Sequence, residues 1–477
     1  MGEEIQNSQF DAQDYARFEQ RLRQETALLK RWVQEGRLAA TDPQGGFELE
    51  AWLIDEAFRP LSINDVFLKR LDTDLASPEL ASFNFEVNST PRQLHGAVFS
   101  TMHRELTETW QHCQQTAAAL DAGVIMIGIL PTVENDSLNL ANMSGMQRYR
   151  ALNREVVRMR HGKPLVLDIN GEEHLRVTHR DVMLESAATS FQIHLKLTPQ
   201  NAVPLFNASM ILSGPMVALS ANSPFLFGKN LWAETRIPVF EQAVAVGGYD
   251  AARFGPIRRV TFGDGYVRQS LLECFEDNLA HYPVMLPVDL GEDPEQLAHL
   301  RMHNGTIWRW NRPLIGFDAD GRPHMRVEHR VVPAGPTLID TIANAAFYYG
   351  AATALANMPM PPRRRLAFDK ARDNFYAAAR FGLHARQQWF DGAQLSVGDL
   401  LQKVLLPLAR EGLAQLGVAE ADSQTYLGII AQRVASGRNG AQWQRDYVKQ
   451  HGRDMHALTA AYLERQQQGD PVHEWRI

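Results

Sequence analysis

Glu48 and Glu50 stand two residues apart in Gly45-Gly46-Phe47-Glu48-Leu49-Glu50, which runs on into Ala51-Trp52-Leu53-Ile54. The alternation reads as a β-strand, and a period of two puts both carboxylates on one face. Acidic residues are disfavoured in strands, and burying their charge is costly. Two like charges stacked on one face repel, and a bound cation resolves that repulsion. Glu86 lies in a second strand-like stretch, Phe83-Asn84-Phe85-Glu86-Val87, with the phenylalanines and valine on the opposite face. Glu79 lies just upstream. Glu328, in Met325-Arg326-Val327-Glu328-His329-Arg330, shares its strand face with Arg330. A carboxylate set completed by water and phosphate oxygens suits Mg²⁺ or Mn²⁺ rather than zinc. Any one of these glutamates alone reads better as a solvent-facing residue on a half-exposed strand. Finding all of them on strand or strand-flanking segments weighs against that.

These residues need a frame. Residues from Asp11 to Arg37 read as an amphipathic helix, with Tyr15, Phe18, Leu22, Leu29 and Val33 at helical spacing. Gly36 and then Asp42-Pro43-Gln44-Gly45-Gly46 end it. Gly96 to Leu120 reads as a helix, and Val124 to Leu130 as a short core strand. Ser190 to Leu197 alternates, with Phe191, Ile193, Leu195 and Leu197 on one face and Gln192, His194 and Lys196 on the other. Thr306 to Phe317 and Met325 to Val332 are further strands. His303-Asn304-Gly305 reads as a turn into the Trp308 strand. From Thr337 the pattern is helical almost throughout, with a linker at Met358 to Pro362 and a solvated helix start at Arg363 to Arg365.

Strands in the first two thirds followed by a helical tail predict an α+β fold with a mainly antiparallel sheet. The expected division is an N-terminal helix (1–40), a catalytic domain (41–385) and a helical C-terminal extension (386–477). No P-loop and no GxGxxG is present.

Composition narrows the function. The chain has 477 residues, 45% hydrophobic and 22% charged, an ordinary globular balance. A formal net charge of −7 gives no reason to expect nucleic acid or an anionic membrane as partner. The charge-free stretch from Asn201 to Gly228 is interrupted by Asn207, Ser213, Pro215, Ser220, Asn222 and Pro224, so it reads as a buried helix and not a membrane span. The polar, acidic stretch 1–15 has no signal-peptide pattern, and a cytoplasmic enzyme is expected. Cys113 and Cys274 read as buried reduced thiols.

At this point the chain resembles the glutamate–cysteine ligase and carboxylate–amine ligase group, in its plant and bacterial type 2 branch. The resemblance spans about Gly45 to Leu383 in short separated motifs. They run from Gly46-Phe47-Glu48-Leu49-Glu50 through Glu79 and Phe85-Glu86-Val87-Asn88-Ser89-Thr90-Pro91 to Gly128-Ile129-Leu130-Pro131-Thr132. Arg148-Tyr149, Thr189 to Leu195, Leu219-Ser220-Ala221-Asn222-Ser223-Pro224 and Thr235-Arg236 follow. Thr306-Ile307-Trp308, Arg312-Pro313 and Val327-Glu328-His329-Arg330 complete the set. Each is weak alone; their order and number are fairly specific.

The resemblance implies a glutamine synthetase-like fold, a curved antiparallel sheet forming a funnel with metal ions at its narrow part. It implies that Glu48, Glu50, Glu79, Glu86 and Glu328 ligate Mg²⁺ or Mn²⁺. It implies that Arg236, Arg312 and Arg330 handle phosphate or a substrate carboxylate, with Gln192 and His194 beside the cofactor. The implied reaction uses ATP to phosphorylate a glutamate-like carboxylate, and an amine such as cysteine then attacks the acyl phosphate, as in glutathione biosynthesis. Tyr149 and Arg150 are candidate substrate contacts, with a surface cluster at a helix end as the equal alternative. The partners are then small amino-acid and amine substrates, with a homo-oligomer left open.

Two departures stand out. The family usually has histidine where Gln192 stands, and an amide is the poorer metal ligand. The change touches one metal position or the usual substrate, or marks a subfamily. After Glu328-x-Arg330 the chain reads Val331-Val332-Pro333-Ala334-Gly335-Pro336, where relatives tend to have an acidic residue. A guanidino kinase-like phosphotransferase and a non-catalytic nucleotide- or metabolite-binding descendant remain as other readings.

Overall fold

The computed structural model describes residues 4–5, 8–40, 42–247, 258–291 and 293–477. Part of the N-terminal stretch read for a signal peptide lies outside them. One eight-stranded antiparallel sheet positions the acidic residues. In chain order its strands are β1 (Gln44–Ile54), β2 (Ala76–Pro78), β3 (Asn84–Asn88), β4 (Arg92–Gln93), β5 (Gly123–Ile125), β6 (Ser190–Leu197), β7 (Asn311–Phe317) and β8 (Pro323–Pro333). Across the sheet they run β7-β8-β6-β1-β3-β2, with β4 and β5 also paired to β1. Alternation does the sorting. Leu49 and Ala51 of β1, Phe85 and Val87 of β3, and Phe191, Ile193 and Leu195 of β6 are all buried on one face. Of the intervening residues, Glu48, Glu50 and Gln192 line a cavity.

Two helices pack behind the sheet. Ala202–Ser220 is the charge-free stretch, and 89% of its most apolar window is buried inside the protein. Leu338–Ala356 lies beside it and sends Tyr348 and Tyr349 to the sheet. Tyr348 stacks on His329, with ring centroids 4.4 Å apart. The Tyr349 hydroxyl lies 3.0 Å from the Gly46 carbonyl and 2.9 Å from that of His194, clamping β1 to β6. Gly45 is required there, because a Cβ would fall 2.6 Å from the Tyr349 ring.

Most expected elements are present with small shifts at their ends. The N-terminal helix is Ala12–Gln34, capped by Asp11. The helix expected from Gly96 is Val98–Ala118. Val124 to Leu130, however, leaves the sheet after Ile125. The Gln466 side chain takes over the ladder there, accepting from the Met126 N–H at 3.0 Å and donating to the Met126 carbonyl at 2.7 Å. The helical tail is also interrupted by a hairpin, Arg386–Gln388 with Gln394–Ser396. Its turn places Asp391 and Gly392 at positive φ, the Asp-Gly preference that the helical reading overlooked. Arg363 and Arg364 sit in a short 3₁₀ turn, and Arg365 pairs with Asp391. Burial pushes the Cys113 thiol up to about 12 and the Cys274 thiol to about 11, which leaves both unreactive.

His303 lies in the last turn of the helix Ala298–Gly305 and is not part of an open turn. Its Nε2 lies 3.2 Å from the Asn278 carbonyl. Burial first, with the Arg259 and Arg309 charges, lowers its pKa to about 4. A depressed histidine contributes stability that is present above its unfolded value and lost as pH falls through the folded one. Acidification from pH 6.5 to about 4 should therefore cost the protein about 3 kcal/mol at this residue. A His303→Gln variant, which keeps the donor, should show a flatter acid limb in urea unfolding across that range.

Candidate active site

The strand register decides which carboxylates meet. Glu50 of β1 sits directly opposite Glu86 of β3, and Glu48 sits opposite Gln192 of β6. Glu328 of β8 sits opposite His194, and Arg312 of β7 opposite Glu328. Two groups result. Glu48, His194 and Glu328 form one, and Glu50, Glu79 and Glu86 the other. Within each, the candidate ligand atoms lie within 4.8 Å of one another. Two full charges at that distance repel by about 3 kcal/mol at an effective dielectric of about 20. Protons or cations must offset that.

The two groups differ in how they are compensated. In the first, His194 Nε2 lies 3.4 Å from Glu48 and 3.8 Å from Glu328. Arg312 grips Glu328 with both branches, Nε at 2.7 Å and Nη2 at 3.0 Å. Arg330 Nη1 reaches the same carboxylate at 3.0 Å. Burial works to raise the Glu328 carboxyl, but the Arg312 and Arg330 charges hold it well below the usual range. Burial likewise opposes ionisation of Glu48, and the neighbouring His194 outweighs it.

The second group has little countercharge. Ser190 donates to Glu50 through its N–H at 2.6 Å and its hydroxyl at 2.9 Å. Gln192 adds an amide N–H at 2.8 Å. Even so, burial raises the Glu50 carboxyl. Burial and then Glu50 push Glu79 up to about 7. Burial followed by Glu48, Glu79 and Glu50 raises Glu86 well above the carboxylate range. Both Glu86 oxygens are buried with no hydrogen-bond partner among the described residues. Orphaned carboxylate oxygens facing two other carboxylates are what a hard divalent cation requires. The residues fit Mg²⁺ or Mn²⁺, and each group could hold one ion.

A β-bulge aims Arg330. His329 pairs with Ile193 and Val332 with Phe191, so one extra residue of β8 is accommodated between them. Glu328 and Arg330 therefore both face the cavity, while Val332 joins the core face. Arg236 secures this bulge. It is buried, pairs with Glu234 at 3.0 Å, and donates to the carbonyls of Arg330 at 3.3 Å and Val331 at 2.6 Å. The expected phosphate contact is thus not where Arg236 points, since its guanidinium is turned to the backbone and lines no part of the cavity. Gln192 fills the position expected to hold histidine. It bonds Glu50 through its N–H and accepts from Arg330 through its carbonyl, joining the two groups. Replacing it with histidine should add a nitrogen ligand and favour Mn²⁺ over Mg²⁺ by about 10-fold in apparent affinity, read by metal titration.

The cavity measures about 300 Å³. Tyr149 lines it and its hydroxyl donates to the Pro78 carbonyl at 3.1 Å. Arg150 does not line it; helical geometry turns this residue to solvent and puts Arg148 against the Tyr149 ring instead. Arg148, which the sequence offers only as a motif residue, lines the cavity, as do Glu185, Arg301 and Arg326, which the sequence does not single out. Arg326 was within reach, because it shares the strand face of Glu328. Its Nε lies 3.2 Å from His194 Nδ1, which turns the other ring nitrogen toward Glu48 and Glu328. Glu185, in an irregular turn, has no such signal.

A curved antiparallel sheet carries these groups on one face. The family model for glutamate–cysteine ligase family 2 matches residues 45–467, and the chain belongs to that family. Among solved structures, the glutamate–cysteine ligase of Francisella tularensis in complex with AMP is similar at 10% identity and a TM-score of 0.53, covering 92% of this chain and 96% of its own. The bifunctional glutathione synthetase of Pasteurella multocida is similar at 10% identity and 0.52, covering 93% of this chain and 55% of its own. These two likenesses are of fold. No curated protein sequence matches the chain significantly.

Proposed function

We propose that the protein uses ATP and Mg²⁺ to join the side-chain carboxylate of glutamate, or a similar acid, to an amine such as cysteine, working in the cytoplasm. The observation that carries this reading is the pairing of two buried acidic groups with Arg312 and Arg330 on one sheet face. A carboxylate resists attack by an amine because its own charge repels a nucleophile. Transfer of a phosphoryl group to it creates an acyl phosphate with a good leaving group. Divalent ions held by the glutamates would neutralise the phosphate oxygens during that transfer. The chain's own part is positional. Glu328 orients the two arginines, Gln192 couples Arg330 to Glu50, and Arg236 holds the backbone that carries Arg330. Arginine forks suit phosphate and carboxylate oxygens, which arrive as both substrates bind. The Francisella relative was crystallised with AMP, which agrees with nucleotide use on this fold.

Purified protein with Mg²⁺-ATP, glutamate and a panel of amines including cysteine should release ADP only when acid and amine are both present. Mass spectrometry should find an amide. A stable phosphorylated product would indicate a phosphotransferase, and no ADP with any pair would overturn the reading.

A further inference from the structure

We propose that Glu185 receives the ammonium group of the acceptor amine and takes from it the proton that must leave before the nitrogen can attack. This rests on the ligase reading above and assigns that reaction an acceptor-side residue. Glu185 belongs to the short 3₁₀ turn Met183–Ala187, whose other members are buried and fix it in place. It is the turn's one residue that lines the cavity, which Leu80, Tyr149 and Leu152 also line. The other acidic groups there are accounted for. Glu328 is held by two arginines and Glu48 by His194, while Glu50, Glu79 and Glu86 form the second acidic group. Glu185 belongs to neither group and, among the described residues, its carboxylate has no hydrogen bond or ion pair.

A carboxylate exposed to a substrate cavity without a cation of its own is complementary to a cation the substrate brings. An amine at neutral pH brings one. Glu185 also feels the charges of Glu79, Glu50 and Arg330. Burial, followed by the first two charges, raises its proton affinity, and a base so tuned is better matched to an ammonium ion. The step balances. The ammonium loses one proton to Glu185, and its freed lone pair forms the C–N bond at the acyl carbon. The bond from that carbon to the phosphate oxygen breaks, and phosphate leaves with the electron pair. The departing phosphate takes the second proton from nitrogen, and Glu185 returns the first to solvent. The net products are amide, hydrogen phosphate and one proton.

The test compares two small nucleophiles with Mg²⁺-ATP and glutamate at pH 7. Hydroxylamine is neutral there and methylamine is an ammonium ion. In Glu185→Gln, hydroxamate formation should stay within about threefold of wild type, while methylamide formation falls about 100-fold, the usual contribution of a general base. Glu185→Asp should retain part of the methylamide rate, and it serves as the test if the glutamine variant fails to fold. Equal loss of both products, or of neither, would overturn the assignment. Wild-type protein that formed no hydroxamate would instead sink the ligase reading, and that outcome is visible before any variant is made.

Discussion

Stripped of divalent ions by EDTA, the protein should lose stability as pH rises, and Mg²⁺ should reverse that loss. The sign follows from Glu79 and Glu86. Burial and neighbouring carboxylates raise both pKa values in the folded state, to about 7 for Glu79. A raised carboxyl contributes stability that is fully present below its unfolded value near 4.5 and disappears as pH climbs through the folded value. For Glu79 that span corresponds to about 3 kcal/mol. Glu86 adds to it in the same direction. Above pH 6.5 the opposite contribution of His303 is already complete, so any further fall belongs to the carboxylates. Cations compete with protons for these oxygens, so their stabilising effect grows with pH. Thermal unfolding with Mg²⁺ and with EDTA should give similar midpoints near pH 5 and midpoints several degrees apart at pH 8. Identical curves at pH 8 would remove the case for a metal site.

Glu328→Gln should lower turnover by about 10²- to 10³-fold, the range seen when one preorganised electrostatic group is lost. Glu328 is buried and takes three bonds from Arg312 and Arg330. Removing its charge leaves two guanidinium groups without their shared partner. Breaking a buried pair of this kind costs about 3–5 kcal/mol, so the variant should also unfold at lower urea. Glu86→Gln provides the contrast. Its carboxylate has no internal partner, so the glutamine variant should lose activity while the ion-free protein becomes more stable at pH 8. Equal destabilisation by both substitutions would mean that Glu86 has a hidden partner and that the two groups do not differ as described.

The part of this site that could be read from sequence is the part a single strand determines. Glu48 with Glu50, and Glu328 with Arg330, share faces because β-structure repeats every two residues. The face division of Ser190 to Leu197 followed from the same rule. That Glu50 meets Glu86 while Glu48 meets His194 depends on register between strands far apart in the chain, and no local pattern encodes it. The resemblance implied a phosphate or carboxylate contact for Arg236, but its direction is set by the carbonyls of the bulge. Arg150 was a candidate contact because a helix start does not reveal which of its faces is covered. Gln192 was noticed as a departure, and only the structure shows it bridging Glu50 to Arg330.

The Gln466 side chain, which stands in for a strand partner at Met126, has a consequence for how the chain folds. Met126 follows directly on β5, and its backbone is also approached by the Tyr462 hydroxyl at 3.1 Å. Farther along, the Val472 N–H donates to Asp340 at 2.9 Å, and Asp340 is itself paired with Arg433. The edge of the acidic sheet is therefore completed by residues made more than three hundred positions later. Loop closure over such a span is slow and yields nothing until both ends exist. A ribosome-bound chain that has reached only the helix Leu338–Ala356 would hold every proposed metal ligand and still lack a finished site. The Met126 edge would be completed after, not during, synthesis of the sheet it borders.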